Sequence, residues 1–217
     1  MEVPATNDKH RYAVRYAIDG DLRFISHHDT IRLFERALAR AAVPVRFSEG
    51  FNPRPRISLP VPRPVGVASD DDLLILETSV AMQPDELLSR LSPQVPSGLT
   101  LLDINVLAPG ERRIPCGATY SMELDSGVVQ ELERRLETLR ERERIEVTRR
   151  DHRTGQTRLI NLRPWLLQWH LDQTRLEWTQ AILQDGTARP AEVLEAFVLP
   201  SRDLLHRIRR VSVRYAD

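Results

Sequence analysis

The sequence predicts an α+β protein built from two tandem β-α-β-β-α-β domains with antiparallel sheets, and three observations predict it. The chain has 217 residues, more than the roughly 100 to 200 of a usual single domain. Its apolar periodicity, read from residue 11 onward, gives the order strand, helix, strand, strand, helix, strand, and that order recurs after residue 117. Between the two runs, the stretch over 108–117 is dense in turn formers and reads as a linker. The order is the split unit of ferredoxin-like folds. The expected organisation is therefore a disordered tail over 1–10, an N-terminal ferredoxin-like domain over 11–111 and a C-terminal one over 112–217. Only the element order repeats, not the sequence.

In the first domain, Tyr12, Val14, Tyr16 and Ile18 alternate with Arg11, Arg15 and Asp19, the pattern of a half-buried strand, which turns at Gly20 and Asp21. Ser26 then serves as a helix N-cap, with Asp29 three residues on as its reciprocal partner. Ile31, Phe34, Leu38 and Ala41 fall on one face of that helix, Arg32, Glu35, Arg36 and Arg40 on the other, and Pro44 closes it. Residues 44–67 hold six prolines, which forbids a helix and fits strand edges joined by a stiff, extended loop. Asp70, Asp71 and Asp72 read as a solvated turn before the buried strand of Leu73, Leu74, Ile75 and Leu76. Pro84 sits in the first turn of a short helix through Leu91, and 99–107 is a strand.

In the second domain, 120–124 is a strand, and Val129, Leu132, Leu136 and Leu139 stripe a helix. Strands follow over 145–148 and 157–160. A helical insertion is expected near 164–172, opening at Pro164 and carrying Trp165 and Trp169 one turn apart. A strand over 175–183, a helix opened by Pro190 with Val193, Leu194 and Phe197 inward, and a closing strand over 211–215 complete the order.

Composition, at 41% hydrophobic and 29% charged, is that of an ordinary globular protein. No apolar run approaches the ~20 residues of a membrane helix, and the N-terminus lacks the basic-then-apolar order of a secretion signal, so the expectation is a soluble, cytoplasmic protein with no membrane partner. The single cysteine, Cys116, excludes an internal disulfide, a four-cysteine zinc site and any iron–sulfur cluster held by three or four cysteines of this chain. Charge is unevenly laid out: residues 1–68 carry 11 basic and 7 acidic side chains, 69–111 carry 1 and 8, and 112–217 carry 19 and 16. A polyanion feels that layout and not the net charge of zero. Lys9 is the one lysine among 31 basic residues. Arginine codon preference accounts for this, yet guanidinium forks also pair with phosphate and stack on bases as ammonium does not.

The stretch over 46–56 joins three arginines, two aromatics and rigid prolines. It reads either as a preorganised nucleic-acid contact or as a structural crossover whose aromatics fill the core. In the first reading Arg46, Arg54 and Arg56 meet phosphates and Phe47 or Phe51 stacks on an unpaired base. His27 and His28 open the first helix; one of them could act as general base on a ribose 2′-hydroxyl, or both are neighbours in a capped first turn. Successive helix positions point ~100° apart, so His27, His28 and Asp29 do not converge on a metal. Asp70–Asp72 suit a turn better than Mg²⁺, and Trp165, Trp169 and Trp178 suit a core better than an aromatic platform. Cys116 has no identifiable activating base. No Gly-rich phosphate loop or serine-hydrolase elbow is present, and no cofactor or metal is expected.

Four blocks resemble the radical-SAM-linked domain family: Arg23-Phe-Ile-Ser-His-His-Asp29, Phe34-Glu-Arg-Ala37, Phe47-Ser-Glu-Gly-Phe-Asn-Pro-Arg-Pro-Arg-Ile-Ser58 and Pro64-Val-Gly66. Asn161-Leu-Arg-Pro164 and Ala188-Arg-Pro190 extend the resemblance over nearly the whole chain. The family is of unknown function and is found fused to, or encoded beside, B12-binding radical SAM proteins. The resemblance marks Ser26, His27, Asp29, Gly50, Phe51, Asn52, Pro53, Arg54 and Arg56 as motif positions without assigning roles. His28 stands where the family pattern has an apolar residue.

What the resemblance implies is a radical SAM partner, since one cysteine cannot hold that enzyme's cluster. The leading expectation is a non-catalytic module that binds tRNA or ribosomal RNA for such a partner, through Arg46, Phe47, Phe51, Asn52, Arg54 and Arg56. The alternatives are a protein–protein adaptor for the same enzyme and a metal-independent endoribonuclease using His27. The last is suggested by CRISPR repeat-processing endoribonucleases, which also pair two ferredoxin-like domains.

Overall fold

The alternating Tyr12, Val14, Tyr16 and Ile18 form β1 (His10–Ile18) and are all buried. The computed structural model describes residues 9–151 and 154–216, with Ser201 and Arg202 described in backbone alone; most of the tail expected over 1–10 lies outside the described residues. After β1, Asp19 caps a single 3-10 turn over Gly20–Phe24 by accepting the Gly20 N–H at 2.7 Å. Ser26 then caps α1 (His27–Arg40). Its hydroxyl accepts the Asp29 N–H at 3.2 Å and donates to the Asp29 carboxylate at 2.7 Å, the helix start expected from the sequence. Four further elements follow: β2 (Ile57–Ser58), β3 (Ala68–Thr78), α2 (Pro84–Leu91) and β4 (Leu99–Leu107).

The chain forms two compact units. The first comprises residues up to Val65 together with Asp71–Ile114. In it β1 lies between β4 and β3, β2 pairs with β3, and the β1–β4 and β2–β3 pairs are antiparallel. Phe34 and Leu38 of α1 and Leu87 and Leu91 of α2 close over Tyr16, Leu74 and Leu76, with Phe34 edge-on to Tyr16 at 4.9 Å. Full burial of such side chains stabilises by about 1.5–3 kcal/mol each.

The three aspartates read as a turn are instead part of β3. Arg15 pairs with one of them: it donates to Asp71 at 2.8 Å and to Asp103 on β4 at 2.7 Å. The Asp71 hydrogen bond, followed by the charges of Asp71 and Asp103, outweighs desolvation and raises the Arg15 pKa. The strand carries Asp71 because Arg15 spans it and Asp103 across the sheet, a relation the local sequence does not display.

The second unit comprises Gly66–Asp70 and Pro115–Ala216. Its elements are β5 (Ile114–Glu123), α3 (Ser126–Arg140), β6 (Glu146–Arg150), β7 (Thr157–Asn161), β8 (Leu166–Asp172), β9 (Arg175–Ala181), α4 (Pro190–Ala196), α5 (Ser201–Leu204) and β10 (Arg209–Ala216). Strand order runs β10, β5, β9, β8, while β6 and β7 form a separate two-stranded sheet. The first residues of β3 pair in parallel with β10, Ala68 opposite Arg209, and Arg209 binds Asp70 through their charged ends. The β5–β9, β6–β7 and β8–β9 pairs are antiparallel. The protein is thus a mixed α and β structure with mostly antiparallel strands.

Residues 166–172, expected as a helical insertion, are strand β8. A register shift between Leu166 and Gln168 puts the three-residue step from Leu166 to Trp169 on one buried face. A bulge therefore imitates the apolar spacing of a helix. All three tryptophans are core: Trp178 stacks on Tyr120 at 5.4 Å and meets Phe197 at 89°, and Trp169 donates from its indole N–H to the Leu136 carbonyl.

A candidate nucleic-acid interface

Six prolines keep residues 44–67 out of a helix, and the backbone between α1 and β3 is held by few but well-placed bonds. The Arg46 N–H donates to the Glu77 carbonyl at 2.8 Å, the Glu77 N–H to the Arg56 carbonyl at 2.9 Å, and the Arg56 N–H to the Arg46 carbonyl at 2.7 Å. Further out, Phe47 bridges Pro55, the Ser48 N–H donates to the Arg54 carbonyl at 2.8 Å, and the Ser48 hydroxyl accepts the Arg54 N–H at 2.9 Å. These bonds fold 45–58 into a pinched loop standing on β3, with 49–53 at its tip. Gly50 turns that tip at φ 125, a conformation that favours glycine. Pro53 and Pro55 stiffen the returning arm.

The loop sorts its side chains cleanly. Phe51 is fully exposed and Phe47 half exposed at 51%, so neither fills a core, and Asn52 is exposed beside them. Arg54 and Arg56 are exposed and make no side-chain hydrogen bond or ion pair among the described residues. Arg46 differs. Its guanidinium lies 3.5 Å from Glu77 and 3.9 Å from Glu49 and is only 17% exposed. Glu77 comes from the acidic stretch 69–111, and within this loop it engages Arg46 while leaving Arg54 and Arg56 open. Arg46 therefore braces the base of the loop.

His27, Ser26 and Asp29 sit on another element, the first turn of α1. The Ser26 hydroxyl, and more weakly Arg32 at 3.5 Å, hold the Asp29 carboxyl below its usual range. The His27 ring packs edge-on to His28 at 5.8 Å, and its Nδ1 is buried without a hydrogen bond among the described residues. Burial, then the charge of His28, pushes the His27 pKa down, so the ring is neutral at pH 7. No carboxylate orients it among the described residues, and the capped-turn reading describes what is seen.

One consequence is measurable. A histidine whose folded pKa is depressed binds protons more readily in the unfolded chain, so its stabilisation is present above the unfolded value of about 6.5 and is lost as pH falls below it. Urea unfolding at pH 7.5 and 5.5 should show a larger loss of stability for the native protein than for His27→Gln. Equal losses would mean the ring is not desolvated in solution.

The model of a protein family described as an uncharacterized protein conserved in bacteria (DUF2344) matches residues 11–191. This chain belongs to that family. The match spans both units, the loop over 46–56 and the first turn of α1. No curated protein matches the chain. Among solved structures, one described as an unknown protein from Galdieria sulphuraria is similar at 12% identity and a TM-score of 0.26, covering 97% of this chain and 100% of its own. No helix among the described residues is long and apolar enough to cross a membrane.

Proposed function

We propose that this DUF2344 protein is a non-catalytic RNA-binding module, with tRNA or ribosomal RNA as its ligand, serving a radical SAM enzyme in the cytoplasm. The observation that carries the RNA reading is the loop tip. A fully exposed Phe51 stands beside two exposed arginines without acidic partners, on a backbone already pinned in place. An exposed aromatic face stacks on an unpaired base, and free guanidiniums meet the flanking phosphates. The pinned loop reduces the ordering entropy that binding would cost. Arg46, held by Glu77, is left out of the contact set. The radical SAM partner rests on the sequence resemblance and on the single cysteine.

We read each unit as ferredoxin-like. In the first, the order β4-β1-β3 with β2 on β3 is that of a split β-α-β-β-α-β unit. In the second, β10-β5-β9-β8 repeats it, with the β6–β7 hairpin inserted after the first helix.

Filter binding of labelled single-stranded RNA across a salt series tests the reading. Affinity should fall linearly on logarithmic axes as salt rises. No retained RNA, or retention indifferent to salt, would overturn it. A protein–protein adaptor is the second reading, favoured by the exposed phenyl ring of Phe51, since aromatic and arginine side chains also dominate protein interfaces. In that case the radical SAM protein should co-purify after nuclease treatment, while RNA is not retained.

A further inference from the structure

In the second unit a surface concavity of about 280 Å³ is lined by Arg140, Arg163, Leu167, Gln168 and Trp169. Arg140 is the last residue of α3, Arg163 lies between β7 and β8, and Leu167, Gln168 and Trp169 belong to β8, which ends its strand order. The two guanidiniums share this one hollow. Arg140 Nη2 donates to the Trp169 carbonyl at 3.3 Å, and Arg163 Nη2 donates to the Arg140 carbonyl at 3.4 Å while its guanidinium lies 5.7 Å over the Trp169 ring.

Neither arginine pairs with a carboxylate among the described residues, although Glu137, Glu141 and Glu143 are close in sequence. The carbonyl bonds use one nitrogen of each fork and fix both side chains at the end of α3, where the helix dipole favours cations. Helix capping thus accounts for one N–H of Arg163. It does not account for a second cation in the same hollow, whose repulsion with the first an anion between the two forks would turn into attraction. Gln168, whose amide donates to Thr179 Oγ1 at 3.4 Å, adds a neutral polar group to the lining.

We propose that this hollow is a phosphate-ester site, taking a phosphate group between the Arg140 and Arg163 forks. Planar forks bind phosphate oxygens in paired, charge-assisted bonds. The volume admits a phosphate with at most a nucleoside attached. The phosphate comes either from a free mononucleotide or from the backbone of an RNA strand, and the chemistry of the site is the same for both. The proposal is independent of the 46–56 loop.

The test is titration calorimetry with uridine, uridine 5′-monophosphate and a short oligouridylate on the full chain, repeated with Arg163→Ala, Arg140→Gln and the loop variant Arg54→Ala/Arg56→Ala. The monophosphate or the oligomer should bind where uridine does not, and each hollow variant should weaken binding about tenfold or more, the loss of a charge-assisted pair. Arg163→Lys keeps charge without the fork and should fall between, which separates recognition from a folding defect when circular dichroism is unchanged. A monophosphate that binds as well as the oligomer assigns a nucleotide site. An oligomer that binds more tightly, with a salt dependence reduced by Arg163→Ala in the loop-variant background, assigns a strand contact. Binding of neither phosphate probe, equal binding of uridine, or binding indifferent to Arg163 and Arg140 would each overturn the proposal. Loss of oligomer binding in the loop variant with monophosphate binding intact would leave it standing.

Discussion

Replacing Arg149 with alanine should cost about 3–5 kcal/mol of stability, the range for stripping one partner from a buried ion pair. Arg149 of β6 grips Glu192 in the first turn of α4 through two bonds of 2.7 Å, from Nε to Oε1 and from Nη2 to Oε2, with side-chain exposures of 13% and 6%. The same guanidinium donates to the Thr187 carbonyl at 2.9 Å and lies 5.1 Å over the Trp165 ring. Glu192 also accepts the Arg189 N–H at 2.8 Å, closing the start of α4. Without Arg149 a carboxylate is left in the core with one backbone donor and the partly exposed Arg189 guanidinium at 3.8 Å. The favourable charge pairing itself is nearly cancelled by desolvation, so the double variant Arg149→Met/Glu192→Met should lose far less than the two single variants summed. Denaturant unfolding of the four proteins checks this. Additive losses would show that the pair is not coupled.

That ion pair also ties the β6–β7 hairpin to α4. The two strands expected over 145–148 and 157–160 are present, but their local pattern does not say which sheet they join. They pair with each other alone, and Arg149 reaches Glu192, 43 positions away. At β8 the failure was one of period. A bulge put Leu166 and Trp169 on one face, and a spacing of three is indistinguishable from a helical stripe until the partner strand is known. Where one period holds without interruption, as in α1, the start is legible, since Ser26 caps the helix through its own hydroxyl, while the end falls at Arg40, short of Pro44.

The candidate site was legible in its composition and not in its division of labour. The prolines, aromatics and arginines of 46–56 marked the loop as rigid and unusual. Nothing local separated Arg46 from Arg54 and Arg56, because Glu77 reaches it across β3 pairing. The Arg140–Arg163 hollow was less visible still. Arg163 lies in Asn161-Leu-Arg-Pro164, and a helix opening at Pro164, as the sequence suggests, gives no sign that it sits beside the end of α3.

Changing Phe51 to alanine should weaken single-stranded RNA binding by about 1–3 kcal/mol, the worth of one base stacked on an aromatic ring. The ring is fully exposed, so thermal stability should stay within about 0.5 kcal/mol. Stacking releases no counterions, and the salt slope should therefore be unchanged. The variant Arg54→Ala/Arg56→Ala should behave in the opposite way. Each lost phosphate contact lowers the slope by about 0.7 for a single strand, so the pair should flatten it by about 1.4. Arg46→Ala serves as the contrast. It breaks the contact with Glu77 and should lower stability while leaving the slope as it was. If Phe51→Ala and the arginine variant both leave RNA affinity intact while abolishing capture of the radical SAM protein, the loop is a protein-binding surface. If Arg46→Ala flattens the slope as strongly as the other two together, its guanidinium leaves Glu77 for phosphate on binding, and the division of labour drawn within the loop is wrong.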